Sequence, residues 1–246
     1  MIPVGATGSD PGGHPAPVST CAVAVDVALL TIRDGRLQLL LVEPEPPSLA
    51  GTWALPGRRV RDDEDLDATA HRALEELAGV TAPDAHLEQL RTYGEVQRDP
   101  RGRVVSVAYL ALTPTPDGPP LGPRARLWDV MALDGTASPG PAPRLAYDHA
   151  RIVPDALERA RSKLEYTALA TAFVDEPFTL AELRGVYEAV WGVTLDPANF
   201  RRKVLSARDF VLPTSEHAPP GRVGGRPARR YRRGPASRLH PAMLRP

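Results

Sequence analysis

A single cysteine, Cys21, in 246 residues excludes an intramolecular disulfide and any thiolate metal cage within one chain. Apolar residues make up 42% of the chain, enough for real cores, yet no run of them approaches the length of a membrane-spanning helix. The N-terminus lacks the basic and then apolar layout of a signal peptide. These absences predict a soluble chain that works in the cytoplasm and has no membrane partner. No internal repeat is visible. Net charge is also missing, at a formal zero, but the balance hides an asymmetry. Residues 197–246 carry twelve Lys and Arg against two acids, Asp209 and Glu216, while residues 1–196 hold eighteen bases and twenty-eight acids. A basic block of this kind is a footprint for phosphate-rich polymers. The length allows two small domains. Residues 1–20, rich in Gly, Pro, Ser and Thr, read as a disordered tail, and the prolines of 113–124 mark a loop.

Segments 23–32 and 37–42 read as strands joined at the hairpin signal Asp34-Gly35. Segments 87–96 and 104–112 read as a second pair around a turn at 99–103. Between the pairs stands Trp53-Ala54-Leu55-Pro56-Gly57-Arg58-Arg59, then Glu64, and then a helix over 66–78 ending in Gly79-Val80. Leu66, Ala70, Ala73, Leu74 and Leu77 give that helix its apolar stripe. The order of residues resembles the Nudix box, G-x5-E-x7-R-E-U-x-E-E-x-G-U with U aliphatic. Aligned on Gly79-Val80, Glu64 falls on the first acid, Arg72 on the arginine and Glu76 on one acid of the pair. Three defining positions are lost: Arg58 replaces the opening glycine, Ala73 the acid after the arginine, and Leu77 the second acid of the pair. Positions 73, 76 and 77 lie on one helix face, so the family pattern would aim three carboxylates at one site. Here the face reads Ala, Glu, Leu. Mg²⁺ is a hard ion held by carboxylate oxygens, and one Glu is a poor substitute for the cluster. The chain is therefore expected to carry no catalytic residues and no metal.

The basic end is punctuated as helices and a hairpin. Residues 155–172 read as helical, with Pro154 near the start and Leu157, Leu164 and Leu169 inward. Thr179-Leu180-Ala181-Glu182 is a capping box, opening a helix with Leu183, Val186 and Val190 on its apolar stripe. Asp196 and Pro197 start the next helix. Phe200, Val204 and Leu205 are placed inward on it, with Arg201, Arg202 and Lys203 toward solvent. Two helices joined by a short turn, followed by a strand at 210–212 and Gly224-Gly225-Arg226-Pro227-Ala228-Arg229-Arg230-Tyr231, suggest a winged helix-turn-helix that meets a phosphate backbone. Tyr231 reads as core, and Arg232 and Arg233 as a fraying end.

The damaged box and this basic module, with Lys163-Leu164-Glu165-Tyr166-Thr167 between them, together resemble the Nudix-related transcriptional regulators of NAD metabolism. The resemblance implies an α/β/α Nudix-like sandwich over residues 21–161, a winged helix over 162–235 and a disordered tail over 236–246. It also implies a repressor that binds double-stranded promoter DNA as a homodimer and senses ADP-ribose or a related nucleotide. On this reading Arg201, Arg202, Lys203, Arg226, Arg229 and Arg230 contact DNA. Glu64, Arg72 and Glu76 are remnants of the diphosphate site. From the residues themselves two readings of Arg58 and Arg59 stay open: they meet the diphosphate directly with cation charge in place of the lost metal, with no cofactor, or Arg58 is simply exposed and the pocket is empty. The segment 148–152 looks like the last Nudix helix of these proteins, and His149 within it reads as a cap or surface residue. Two other readings fit the residues: an ADP-ribose hydrolase recruiting Glu95 or Asp99, and a constitutive DNA-binding protein whose first half is only a scaffold.

Overall fold

A computed structural model describes residues 20–83, 85–114, 121–133, 142–219 and 227–246. All but the last residue of the expected N-terminal tail lies outside them, as do Gly224, Gly225 and Arg226. The first half is a mixed sheet of six strands: β1 (Ala22–Arg33), β2 (Arg36–Val42), β3 (Gly57–Arg59), β4 (His86–Tyr93), β5 (Val104–Leu112) and β6 (Ala125–Asp129), ordered β4-β5-β1-β2-β6 with β3 also against β1. Asp34 and Gly35, with φ of 51° and 71°, close the two-residue turn that sets Arg33 opposite Arg36. β1 runs parallel to β5 and is buried on both sides, so its apolar residues are nearly continuous rather than alternating. Val25, Val27 and Leu29 join one core, and Ala28 and Leu30 join the other.

Helix α1 (Leu66–Ala78) covers the first face with Ala70, Leu74 and Ala78. Its Asp65 cap accepts the Ala68 N–H at 2.7 Å, and Gly79 ends it in the left-handed region at φ 68°. A four-residue helix, α2 (Val130–Leu133), follows β6. The opposite face is covered by α3 (His149–Tyr166), which buries Ile152, Val153, Ala156, Leu157, Ala160 and Leu164. The sandwich expected from the sequence is thus present, with two strands, β3 and β6, that the sequence reading left out.

Helix α3 differs from the expected 155–172 at both ends. It begins at His149 and keeps Pro154 inside it, at a nominal cost of about 3 kcal/mol that its buried face offsets. It stops at Tyr166, because Thr167 turns extended and donates its hydroxyl back to the Lys163 carbonyl at 2.7 Å. A short 3-10 helix, Ala168–Phe173, continues the chain. The boundary expected between 161 and 162 therefore falls within one unbroken helix.

The second half comprises β7 (Phe178–Thr179), α4 (Leu180–Trp191), α5 (Pro197–Ser206), β8 (Val211–Ala218) and β9 (Ala228–Arg233), with strand order β7-β9-β8. It is a winged helix. The capping box is reciprocal: Glu182 N–H donates to Thr179 Oγ1, and Thr179 N–H to Glu182 Oε2. Asp196 likewise accepts the Asn199 N–H at 2.7 Å. Tyr187 meets Trp191 and Phe200 edge-on, with centroids 4.8 and 5.4 Å away. Phe200, Val204 and Tyr231 are buried as expected, but Leu205 is 47% exposed, because Val204 already fills the inward position beside it. Arg232 and Arg233 are paired with Leu212 and Val211 in β9 rather than at a loose end.

The two halves share one core. Buried residues of β1, β2, α3, α4, α5 and β9 form a single apolar cluster. Arg161 on α3 donates to the Val190 carbonyl, and the Trp191 indole N–H donates back to the Arg161 carbonyl, both at 3.2 Å. The C-terminal segment is not the expected disordered tail. Leu239 and Met243 are buried, and their N–H groups donate to the Tyr166 and Glu165 carbonyls at the end of α3, each at 2.8 Å. Arg245 pairs with Glu158 and Glu165. Two apolar side chains and one guanidinium fork hold the segment against the end of α3.

Candidate functional site

A cleft of about 400 Å³ opens between β1, β3, α1, the segment after β2 and the turn at 98–101. Six arginines line it: Arg58, Arg59, Arg61, Arg72, Arg98 and Arg101. The sequence-predicted Arg58, Arg59 and Arg72 are brought together here. Glu64 and Glu76 are not part of the lining but hold its arginines. Glu64 accepts Arg72 Nε at 2.9 Å, a second Arg72 N–H, and the Arg61 N–H at 2.9 Å. Arg72 also donates to the Arg59 carbonyl at 2.9 Å, so the pair fixes the turn between β3 and α1. Hydrogen bonds from Arg72 outweigh desolvation and hold the Glu64 carboxyl at about 2. Glu76, half-exposed, takes Arg58 Nε at 3.0 Å, with Arg61 and Arg72 at 3.5 and 3.6 Å. The other two Arg58 nitrogens reach Glu45 Oε1 at 3.1 Å.

Beneath the arginines lies a buried charged floor that the sequence reading missed. Asp26 accepts the Ser106 hydroxyl at 2.5 Å and an Arg98 N–H at 3.2 Å. Arg98 forks onto Asp148 at 2.7 and 3.0 Å. His149 is 2% exposed, a correction to its reading as a cap or surface residue. Its Nδ1 accepts the Leu55 N–H at 2.9 Å, which places the ring proton on Nε2, 3.6 Å from Asp26 Oδ1. Burial pushes the Asp26 carboxyl up, but His149, Ser106 and Arg98 together outweigh it and hold the group at about 2. Gly57 is required against this floor: a Cβ there would lie 2.1 Å from Asp26 Oδ1. Only the Asp148-His149 pair was visible in the sequence, and nothing local marked it as buried.

Asp99 and Glu95, the acids a hydrolase reading would recruit, already have partners. Asp99 lines the cleft with its carboxylate forked by Arg101 at 2.7 Å, whose hydrogen bonds lower its pKa. Glu95 is paired with Arg151 outside the cleft lining. Tyr147, at φ 54°, adds an aromatic wall, with the Arg101 guanidinium 5.3 Å from its ring centre. The floor, with α3 starting at His149, connects the cleft to the second half of the chain.

On the winged helix, Arg201, Arg202 and Lys203 are all exposed on α5, and Arg202 is steadied by Asn199 Oδ1 at 2.8 Å. Arg229 is exposed on β9. Arg230 is half-buried and donates to the Pro177 carbonyl, which gives it an internal partner within the domain. A register shift between Pro213 and His217 bends the β8–β9 hairpin.

Known proteins match both halves. The NUDIX domain family matches residues 22–155, and the NrtR DNA-binding winged helix domain matches residues 170–233. The ADPR responsive transcriptional repressor NtrR of Acinetobacter baylyi is 33% identical over 221 residues, 89% of this chain and 83% of that protein. The crystal structure of Shewanella oneidensis NrtR complexed with a 27mer DNA is 32% identical with a TM-score of 0.70, over 87% of this chain and 94% of that one. The NUDIX domain of the same S. oneidensis protein, complexed with ADP ribose, is 30% identical with a TM-score of 0.50, over 60% of this chain and 93% of that one. With a Nudix domain over more than half its length and an NrtR winged helix after it, the chain belongs to the NrtR family.

Proposed function

We propose that this chain is a transcriptional repressor that binds promoter DNA as a homodimer in the cytoplasm and lets go when ADP-ribose, or a nucleotide of that class, enters the cleft. The observation that carries the reading is α3. The helix starts in the cleft floor at Asp148-His149 and ends against α4 and the C-terminal segment, so one continuous helix runs from the cleft to the domain that carries α5. A diphosphate is drawn to the six arginines by charge-assisted hydrogen bonds. A ligand regulates only through different affinity for two states. The residues able to tell those states apart are Arg98, Asp26 and His149, because a ligand touching them also touches the first turn of α3. On DNA, Arg201 and Arg202 face the groove and Arg229 the backbone, and affinity falls steeply with salt.

The reading includes no hydrolysis. Ala73 is buried, Leu77 lines the cleft, and Glu76 is taken up by arginine. The test is a titration of the full chain with DNA from upstream of its own gene, with and without ADP-ribose, while the same samples are assayed for ADP-ribose breakdown. Specific binding released by intact ADP-ribose is the expected result. Breakdown without specific DNA binding would make the chain a hydrolase. Specific binding that ADP-ribose leaves unchanged, with no rise in thermal stability, would make it a constitutive DNA-binding protein.

A further inference from the structure

The Nudix fold implies a divalent cation, and the residues of this cleft do not fit one. Of the helix face formed by positions 73, 76 and 77, only Glu76 is acidic, Ala73 is fully buried and Leu77 is apolar. Among the described residues no group of three or more His, Cys, Asp or Glu side chains is placed to hold a metal ion. What lies against Glu76 is a guanidinium. Arg58, which replaces the opening glycine of the box, donates Nε to Glu76 at 3.0 Å and its two terminal nitrogens to Glu45 at 3.1 Å. A guanidinium has five N–H groups, so two remain without a partner among the described residues, on a side chain that lines the cleft.

We propose that Arg58 is the resident cation of this cleft: anchored by Glu76 and Glu45, it binds the ligand's phosphate with its remaining donors and makes binding independent of divalent metal. The anchoring parallels what carboxylates do for an ion, since it fixes the charge and leaves part of its bonding capacity for phosphate. The chemistry does not follow. A guanidinium stays protonated and coordinates no water, so it cannot generate the nucleophile that hydrolysis needs. The same substitution therefore gives retention of an intact nucleotide, which is what a sensor requires. Glu45, eight residues before Trp53 in the loop after β2, acquires a role as the second anchor.

This inference rests on the reading that a nucleotide diphosphate occupies the cleft. The test is isothermal titration of ADP-ribose into the full-length protein in excess EDTA and, separately, in excess Mg²⁺, for wild type, Arg58→Ala, and the double variant Arg58→Ala with Glu76→Gln. We expect the same Kd in EDTA and in Mg²⁺ for wild type, and a loss on the order of 10- to 100-fold for Arg58→Ala. The double variant should stay weak, because what it lacks is the cation. Wild-type binding that appears only with Mg²⁺ overturns the inference while leaving the nucleotide reading in place. So does Arg58→Ala binding as tightly as wild type in EDTA. Recovery in the double variant also overturns it, since Arg58 would then serve only to mask Glu76. No binding in either buffer sinks this inference and the nucleotide reading together.

Discussion

Replacing Arg98 by Met should unbalance the cleft floor more than any single surface change. The arginine is 6% exposed, and its guanidinium lies 2.7 and 3.0 Å from Asp148 and 3.2 Å from Asp26. Methionine keeps most of the stem's packing but leaves two buried carboxylates without their cation. Breaking a buried pair from one side costs about 3–5 kcal/mol, which for a chain of this length lowers Tm by roughly 6–20 °C. The pH dependence identifies the cause. Asp26 sits at about 2 against an ordinary 3.8, because His149, Ser106 and Arg98 outweigh burial. A depressed carboxyl contributes stability that is present above its unfolded pKa and is lost as pH falls through the folded one. For Asp26 that is roughly 2 kcal/mol, full above about pH 4 and fading toward pH 2. The variant loses part of that depression, so its deficit relative to wild type is full at neutral pH and narrows below about pH 4. Urea unfolding at neutral pH gives the size, and thermal scans through the acid range give the shape. A deficit under about 1 kcal/mol, or one flat with pH, would refute the assignment of Arg98 as the floor's counter-ion.

Further outcomes are expected at four positions. Gly57→Ala drives a methyl to within 2.1 Å of Asp26 Oδ1, so the protein should lose about 2 kcal/mol or more by urea unfolding; a neutral result means that Asp26 can move without cost. Met243→Ala empties a site that is 2% exposed and should cost about 2–3 kcal/mol, whereas an unchanged unfolding midpoint would return the last residues to the status of a tail. In DNA titrations, Arg229→Ala should weaken binding equally on all sequences and lower the log-log salt slope by about one. Arg201→Ala should instead flatten discrimination between the promoter and random DNA, and a swap of these two behaviours would reverse the roles given to helix and wing.

What the sequence disclosed was what short-range chemistry encodes. Glu64 and Arg72, aligned by spacing alone, are hydrogen-bonded, and the capping box at Thr179 and Glu182 closes as written. Asp34-Gly35 makes the turn it announces. What stayed hidden depends on distant partners. Arg98 and Asp26 are seventy-two residues apart, and nothing near either marks it as buried. β6, Ala-Arg-Leu-Trp-Asp, has no strand pattern of its own and is held by its register with β2, where Leu40 faces Leu127. Pro154 signalled a break that the buried face of α3 overrides. At the C-terminus, Leu239 and Met243 are too few for a periodic signal, yet both are buried.

The length of α3 has a geometric consequence. Eighteen residues at 1.5 Å each make a rod about 27 Å long, with one end in the cleft floor. A tilt of about 5° imposed there carries the far end through roughly 2 Å. In the two-fold dimer proposed above the displacement would appear twice, in opposite senses, at two recognition helices that must fit half-sites about 34 Å apart. On the proposed reading, an ångström-scale adjustment beneath a nucleotide would be magnified into a mismatch of span, which the duplex could follow only by bending.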